Sequence, residues 1–310
     1  MKKFTNEPMY EILSYFQDEL KTNDTVSIEV LNPDLAFDEY AGAVVSLDKE
    51  YIYRSYKAWN DLSELVYCKM LTPQITSENT VNLKFKKTNI NKSFHNDENT
   101  EDNEKYGLNS TFFKINKNEE PAFLYYYKQA LLNAKVENKK TILNLGINKA
   151  DEFDVISKLV SKENLEEKEF VGIDFSESAI NYSKSRFPQD NFNFYTQDIN
   201  ELDKLTLKKF DLIISIGTLQ SSTLNFKEQF MSLIQNYLEP NGAIILGFPN
   251  CRWIDSQMIY GAKAPNYSFS EQSILYKDVY FCKKYLQQKK YRVTLTGKNY
   301  LFLTATSIKK

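Results

Sequence analysis

Histidine and cysteine are scarce in this sequence of 310 residues, and their scarcity excludes several kinds of site. The single histidine, His95, argues against a histidine-based metal site and against a Ser-His-Asp triad. The three cysteines, Cys68, Cys251 and Cys282, are odd in number, lie far apart and form no CxxC pair. This pattern is typical of a reducing compartment and argues against structural zinc, so we predict no metal site.

Long apolar runs are also missing. None approaches the roughly 20 residues that a membrane-spanning helix needs. The positively charged start, with Lys2 and Lys3, is followed by polar residues instead of the apolar core of a signal peptide. We therefore expect a soluble, cytoplasmic protein that has no membrane partner.

Neither sign of charge is in large excess, because 39 Lys and Arg stand against 41 Asp and Glu and give a net charge of −2. No global field therefore attracts nucleic acid. Residues 1–120 are acidic, with 14 Lys and Arg against 21 Asp and Glu, whereas the remainder is mildly basic, with 25 against 20. The length predicts two domains, and a hydrophobic content of 42% is enough to build their cores.

Residues 1–118 are predicted to form a small α+β module that serves as an accessory or substrate domain. Apolar residues at helical spacing predict helices over residues 8–20 and 55–70. Alternating patterns predict strands at 26–30, 42–47, 51–53 and 81–85. Residues 88–105 are rich in Asn, Asp, Glu and Lys and almost free of aliphatic residues, so we expect an exposed polar linker there.

The stretch 139–175 carries the most specific pattern in the chain. An apolar run at 141–145 breaks at Gly146, a helical segment begins near Ala150, and a second apolar run ends at Asp174. This order predicts two parallel strands joined by a right-handed helical crossover. The glycine permits a sharp turn, the helix start offers N–H groups, and the carboxylate can accept hydrogen bonds from a ribose diol. We therefore expect a nucleoside ligand across these strand ends.

Further strand and helix patterns follow and extend the predicted sheet. Strands are predicted over 191–196, 210–216, 243–248, 291–296 and 300–306. Helices are predicted over 121–136, 176–187, 226–238 and 273–289, the second of them capped by Ser176. Seven of the nine glycines lie after residue 140, mostly at strand ends or turns, as a tight α/β domain requires.

Five alternating β/α units that end in a hairpin resemble the class I S-adenosylmethionine-dependent methyltransferases. Residues 144–150, Asn-Leu-Gly-Ile-Asn-Lys-Ala, resemble the family's acidic-x-Gly-x-Gly-x-Gly signature, and residues 210–220 resemble its fourth motif. The Phe-Pro-Asn-Cys-Arg-Trp segment at 248–253 is similar to the Phe-Pro-Asn-x-x-Trp stretch of MetW-like members. The resemblance covers about residues 120–310. It implies an α/β, Rossmann-like domain over 119–310, with a seven-stranded sheet of order 3-2-1-4-5-7-6 whose seventh strand is antiparallel.

The sequence departs from the family signature at three of its positions. Asn144 replaces the usual acid, Asn148 the second glycine and Ala150 the third. Asn tolerates the left-handed conformation better than most residues, and Ala is nearly as small as Gly, so we expect the turn to form. Loss of the acid removes one expected contact to the methionine end of the cofactor.

The same resemblance implies the residues of the site. Asp174 stands where the family has its ribose-binding acid, and Asp198 where it has the acid that holds the adenine amino group. The cofactor S-adenosyl-L-methionine, released as S-adenosyl-L-homocysteine, is expected to contact Asn144, Gly146, Asn148, Asp174, Phe175, Asp198, Ile199, Ser215 and Gly217. Catalytic positions are predicted at Gln220, Asn250 and Tyr260, and substrate contacts at Arg252 and Trp253.

Several of these residues have a purely structural alternative. Asp174 could cap the helix that follows it, Asp198 could be an ordinary loop acid, and Gly146 could be required for packing alone. Gln220 could be a solvated loop residue and Trp253 a core residue. The aromatic insert at 249–285 could close over an aromatic or anionic acceptor, or it could pack against the N-terminal module.

Three functions compete at this stage. The first is in-line transfer of a methyl group to a small-molecule acceptor, a reaction that needs little acid–base machinery and so agrees with the scarcity of histidine. The second is modification of RNA or protein, for which the run Lys84, Lys86, Lys87 and Lys92 is available, although the acidic module disfavours a polyanion. The third is a catalytically silent scaffold that kept the fold.

Overall fold

The computed structural model describes residues 1–93, 104–221, 223–262 and 270–308. His95, most of the polar linker predicted at 88–105 and the part of the insert at 263–269 lie outside these residues. Contacts divide the described chain into two compact units. The first comprises Met1–Ser93 with Ile254–Gln257, and the second comprises the described parts of residues 94–253 and 258–310. Within the described ranges, no helix is both long and apolar enough to cross a bilayer.

The first unit combines two helices with a sheet of five strands. Its elements are β1 (Lys2–Lys3), α1 (Met9–Thr22), β2 (Thr25–Leu31), β3 (Val44–Ser46), β4 (Glu50–Ile52), α2 (Tyr56–Leu65), β5 (Cys68–Met70), β6 (Gln74–Ile75) and β7 (Thr80–Lys87). The sheet runs in the order β1-β2-β7-β5 with β6 also paired to β7, while β3 and β4 form a separate hairpin. Apolar residues of α1, α2, β2 and β7 share one core, centred on Phe16, Trp59 and Phe85.

The helix predicted over residues 55–70 was wrong in its last turn. Helix α2 ends at Leu65, and Tyr67 then adopts a left-handed conformation with φ of 53°. Strand β5 continues from Cys68 and pairs antiparallel with β7. Pairing along β7 therefore outweighed the local helical spacing of these residues, which is the usual way in which tertiary contacts override propensity.

The second unit contains a seven-stranded sheet with helices on both faces. Its elements are α3 (Pro121–Asn133), β8 (Thr141–Leu145), α4 (Asp151–Leu159), α5 (Lys162–Glu166), β9 (Glu169–Asp174), α6 (Glu177–Arg186), β10 (Phe192–Thr196), β11 (Phe210–Ile216), α7 (Phe226–Ser232), β12 (Leu238–Pro249), β13 (Cys251–Ile254), β14 (Gln257–Tyr260), α8 (Ser273–Gln288), β15 (Tyr291–Gly297) and β16 (Tyr300–Ser307). The sheet order is β10-β9-β8-β11-β12-β16-β15, with only β15 and β16 paired antiparallel to their neighbours. Counted along the chain, this is the order 3-2-1-4-5-7-6, so the predicted Rossmann-like sheet is confirmed.

Alternate residues of the central strands supply two separate cores. Ile142 and Ile214 belong to the core shared with α3 and α4, whereas Leu143 and Ile213 belong to the core shared with α7 and α8. All four side chains are fully buried. A strand that is covered on both faces is apolar at successive positions, which is why the patterns at 141–145 and 210–216 were nearly continuous.

Two connections differ from the sequence prediction. Helix α7 gives way to a π-helical turn at Leu233–Tyr237, and β12 begins at Leu238 instead of Ala243. A register shift in the pairing of β11 with β12 accommodates the extra residues. The insert after β12 contains the hairpin of β13 and β14, which the sequence pattern did not predict.

Candidate functional site

The turn after β8 is left-handed at three alternating residues. The backbone φ is 70° at Gly146, 46° at Asn148 and 61° at Ala150. The resemblance aligns glycines with these three positions, so an asparagine and an alanine hold a conformation that glycine adopts most easily. The Gly146 N–H closes the turn by donating to the Ile173 carbonyl at 2.8 Å. The turn therefore forms in spite of both substitutions.

Because Gly146 has no Cβ, the turn after β8 and the loop after β11 can pack closely together. A Cβ built there would lie 2.0 Å from Thr218 Oγ1, because the Thr218 side chain occupies that space. The Thr218 hydroxyl donates to the Leu145 carbonyl at 3.1 Å and so joins the loop after β11 to the end of β8. Packing against the Thr218 side chain therefore explains why residue 146 is a glycine.

Asp174 ends β9 and is held by backbone groups of two turns. Its Oδ2 accepts a hydrogen bond from the Asn148 N–H at 2.8 Å, and its Oδ1 accepts one from the Ser176 N–H at 3.0 Å. The Ser176 hydroxyl accepts from the Ala179 N–H at 3.2 Å, so the predicted cap of α6 is confirmed. Because Ser176 provides the side-chain cap, Asp174 is not needed for that purpose.

The carboxylate of Asp174 lies in a buried position with capacity for further donors. Its residue is 9% exposed. Burial raises the pKa of Asp174, and the N–H groups of Ser176 and Asn148 oppose this rise without cancelling it. An ionised carboxylate oxygen accepts up to two hydrogen bonds, and each oxygen of Asp174 receives one from these backbone groups. These backbone groups therefore occupy part of the acceptor capacity of the carboxylate.

Asp198 lies at the same edge of the sheet as Asp174. Thr196 of β10 pairs with Asp174, and the Gln197 N–H donates to the Asp174 carbonyl at 2.9 Å. Asp198 then caps the 3-10 helix Ile199–Lys204 and accepts from the Asn200 N–H at 2.8 Å. Ile199 is buried, whereas Phe175, the residue after Asp174, is 52% exposed.

Three buried polar atoms lie at or just beyond the ends of β8 and β11 and have no hydrogen-bond partner among the described residues. They are Asn144 Nδ2, Ser215 Oγ and Gln220 Oε1. Asn144 pairs with Ile214, so its side chain and that of Ser215 lie on opposite faces of the sheet. Burying such groups unpaired costs about 1–3 kcal/mol each. Gly217, beyond Ser215, has a φ of 77° and donates its N–H to the Gly247 carbonyl at 2.8 Å.

The side chain of Asn250, between β12 and β13, is hydrogen-bonded to two other loops. Asn250 donates from Nδ2 to the Lys298 carbonyl at 3.1 Å and accepts at Oδ1 from the Ala262 N–H at 3.3 Å. The structure thus uses both ends of its amide to hold adjoining loops together.

Arg252, Trp253 and Tyr260 lie on the two strands of the β13–β14 hairpin. Arg252 donates to the Ser270 hydroxyl at 3.2 Å, and the Tyr260 hydroxyl accepts from the Gln272 side chain at 3.3 Å. Trp253 is partly buried. These contacts connect the hairpin with the residues before α8.

Sequence reasoning missed residues 104–115, which contact both turns beside Asp174. The Asn148 side chain donates from Nδ2 to the Tyr106 carbonyl at 2.6 Å, and the Glu104 carboxylate accepts from the N–H of Ser178 at 3.2 Å. The aromatic residues Tyr106, Phe112 and Phe113, directly after the polar linker, were the available signal. Their spacing matched no strand or helix period, so nothing placed them at the site.

Comparison with known proteins identifies the family. A family model described as "Methyltransferase domain" matches residues 129–295, more than half of the chain. The matched range contains every residue predicted above for the site. A search of curated proteins found no significant match.

Solved structures of methyltransferases resemble the chain at low sequence identity. One is the N-methyltransferase NodS from Bradyrhizobium japonicum WM9 in complex with S-adenosyl-L-homocysteine, at 13% identity and a TM-score of 0.43, over 64% of this chain and 95% of that chain. Another is the plantazolicin methyltransferase BpumL in complex with a monoazolic desmethylPZN analog and S-adenosyl-L-homocysteine, at 14% identity and a TM-score of 0.45, over 62% of this chain and 87% of that chain. A third is the ribosomal protein L11 methylase from Lactobacillus delbrueckii subsp. bulgaricus, at 13% identity and a TM-score of 0.38, over 58% of this chain and 76% of that chain. The family assignment rests on the sequence model and not on these likenesses.

Proposed function

Because the chain belongs to this methyltransferase-domain family, we propose that it transfers a methyl group from S-adenosyl-L-methionine to a small-molecule acceptor. The observation that carries the proposal is the position of Asp174. Its carboxylate is buried at the carboxyl end of β9, beside a turn that is left-handed at Gly146, Asn148 and Ala150. In open α/β sheets, ligands bind at this edge.

The described residues fit a nucleoside donor. Asp174 can accept from ribose hydroxyls through the acceptor capacity that its backbone N–H partners leave free. Phe175 is exposed next to it and offers an apolar face to an adenine ring. The unpaired amide Nδ2 of Asn144 would gain an acceptor from the amino-acid end of the donor. That last contact would offset the cost of burying the amide.

The donor, when bound, supplies a methyl group that is already activated on a sulfonium. The protein's part is then to align the acceptor and exclude water, which supplies several kcal/mol of barrier reduction. Gln220 and Trp253 remain our candidates for contact with the acceptor. Burial raises the pKa of Tyr300 to about 12 and that of Cys251 to about 12, so neither group is a base at neutral pH.

The contacts of the basic run support a small acceptor over a nucleic acid. Lys87 donates to the Leu20 carbonyl at 2.8 Å, and Lys92 forms an ion pair with Asp255 at 3.4 Å. Lys84 and Lys86 alone share one face of β7, because side chains alternate along a strand. Two lysines neutralise too few phosphates for firm nucleic-acid binding. Co-purification of RNA that is lost at high salt would favour the second candidate, an RNA-modifying enzyme.

Calorimetry with the Asp174→Ala variant tests the proposal. We expect the wild-type protein to bind S-adenosyl-L-methionine and S-adenosyl-L-homocysteine. Removal of the carboxylate should weaken both at least tenfold, since hydrogen bonds to a charged group contribute about 1.5–3 kcal/mol each. Asp190→Ala, a change of an exposed aspartate in the loop before β10, is the matched control and should leave the affinities unchanged.

Two results would contradict the proposal. A folded wild-type protein that binds neither compound at millimolar concentration would favour the silent scaffold. Equal affinities in the Asp174→Ala variant and the wild type would show that the nucleoside does not rest on this carboxylate.

A further inference from the structure

Residues 104–115, here called the strap, are fastened to the first turn of α6 by a carboxylate. Glu104 accepts hydrogen bonds from the hydroxyls of Ser176 and Ser178 and from the N–H of Ser178. Further along, the Leu108 N–H donates to the Ser178 hydroxyl at 2.8 Å. Burial would raise the pKa of Glu104, but the hydrogen bonds from Ser178 and Ser176 outweigh burial and lower it. Glu104 is therefore ionised at neutral pH and makes charge-assisted bonds.

A second set of contacts fastens the strap to the turn after β8. Asn148 Nδ2 donates to the Tyr106 carbonyl at 2.6 Å. The Lys149 ammonium donates to the carbonyls of Phe113 at 2.9 Å and Ile115 at 2.7 Å, and it lies 5.5 Å from the centre of the Phe113 ring. The strap thus spans from the α6 turn to the β8 turn.

Gly107 is the position that lets the strap fold back on itself. A Cβ there would lie 1.7 Å from Glu104 Oε2 and 2.6 Å from Ser178 Oγ. Any larger residue would therefore displace the Glu104 carboxylate from its serine partners. The close fit distinguishes this segment from a loop that merely crosses the surface.

The strap and the proposed ribose carboxylate share the same two neighbours. Asn148 gives its backbone N–H to Asp174 and its side chain to the strap, and Ser176 does the same with its N–H and its hydroxyl. Burial and the negative charge of Asp174 both raise the pKa of Tyr106, which places this phenol within electrostatic reach of the carboxylate. The strap is therefore fastened on both sides of the crevice that the donor would enter.

We propose that the strap closes the donor crevice and that its contacts through Glu104 and Asn148 must open before the donor enters or the demethylated product leaves. This inference rests on the proposed function, because the crevice is defined by a nucleoside on Asp174. A cover that opens and closes changes the rates of association and dissociation together. It changes the affinity less than either rate, because the same opening step limits both.

The test is a stopped-flow measurement of S-adenosyl-L-homocysteine binding to the full chain. Glu104→Gln and Ser178→Ala each weaken the fastening from one side, and neither residue is among those that we assign to the donor. Asn109→Ala, an exposed change within the strap, is the matched control. We expect the association and dissociation rates to rise about tenfold in the two variants, which corresponds to a loss of about 1.4 kcal/mol in the free energy of strap closure. Both rates should stay unchanged in the control.

Amide hydrogen exchange supplies a second readout that needs no ligand. The Leu108 N–H should exchange faster in Glu104→Gln than in the wild type, because the strap opens more often while the Ser178 hydroxyl, the acceptor for this N–H, is unchanged. Should one of the variants fail to fold, the other tests the same contact.

The outcomes separate this inference from the proposed function. If the wild type binds no donor or product, both are overturned. If the wild type binds but the two variants keep wild-type rates, the strap inference alone is overturned. A weaker affinity that comes from faster dissociation at an unchanged association rate would also overturn it, because Glu104 would then act as a static support.

Discussion

At the scale of single residues, Gly146 is a position where both backbone conformation and space require glycine. Its φ of 70° favours glycine, and a Cβ would meet Thr218 Oγ1 at 2.0 Å. We expect Gly146→Ala to lower the free energy of unfolding by about 2–4 kcal/mol, from the left-handed strain and the overpacking together. Denaturant unfolding measures this change.

The control for Gly146 is a glycine that lacks the close neighbour. Gly42 has a φ of 102°, but nothing lies within 4 Å of the point where its Cβ would stand, so Gly42→Ala should cost only the conformational part, about 1–2 kcal/mol. Replacing Thr218 with alanine should reduce the cost of Gly146→Ala, because the two side chains would compete for one space. Equal costs at Gly42 and Gly146 would contradict the packing explanation.

At the scale of elements, a buried ion pair joins the 3-10 helix Lys117–Glu119 to the first turn of α4. Lys117 Nζ lies 3.2 Å from Glu152 Oε1, and the two side chains are 15% and 5% exposed. Burial alone would lower the pKa of Lys117, but the Glu152 carboxylate raises it above its usual range, so the lysine stays charged. The pair thus connects the segment after the strap to the helix that follows the β8 turn.

Breaking this pair from one side should be costly. We expect Lys117→Met to lower the free energy of unfolding by about 3–5 kcal/mol, because it leaves the Glu152 carboxylate buried without its partner. The double variant Lys117→Met with Glu152→Leu should recover most of the loss, since two apolar side chains replace both charges. Additive losses in the double variant, measured by denaturant unfolding, would show that the two charges do not depend on each other.

Elements were predictable from the sequence where the apolar pattern and the capping residues agreed. The strands β8, β9 and β11 followed from nearly continuous apolar runs, β10 from an alternating pattern, and the cap of α6 from Ser176 at the right position. The strand β5 and the early start of β12 did not, because each is stabilised by pairing with a strand distant in sequence. Local patterns carry no information about such partners.

At the scale of the whole molecule, donor binding should stabilise the fold by mass action. At a concentration of 100 times its dissociation constant, S-adenosyl-L-methionine should add about 2.7 kcal/mol to the free energy of unfolding. For a domain of this size we expect a rise of about 5–10 °C in the midpoint of thermal unfolding, measured by calorimetry.

This stabilisation should depend on pH through Asp174. The pKa of Asp174 is raised, so the carboxylate becomes protonated at a higher pH than an ordinary aspartate does. The ionised carboxylate is the stronger acceptor for ribose hydroxyls. The donor-induced rise in the midpoint of unfolding should therefore shrink as pH falls through this raised pKa. The pKa of Glu104 is lowered, so the strap should stay fastened over the same range. If the donor still raised the midpoint of unfolding by the same amount well below neutral pH, the role of Asp174 in binding the ribose would be contradicted.

The sequence by itself determined the sheet and its family. Apolar runs and turn residues predicted the alternating strands and helices, and the resemblance to class I methyltransferases then implied the order 3-2-1-4-5-7-6 that the structure shows. The domain boundary near residue 118, the MetW-like segment and the roles of the site residues stay predictions. They depend on ligands and contacts that no local pattern encodes.

Only the tertiary structure decided how the site is enclosed. Asn148 looked like a tolerated substitute for glycine, yet its side chain fastens Tyr106 of the strap, 42 residues earlier in the chain. Glu104 and Ser178 are 74 residues apart and carry no shared motif, yet they form one hydrogen-bonded group. The physical reason is that periodicity and propensity report on neighbours within a few residues, whereas a crevice is closed by groups that only folding brings together.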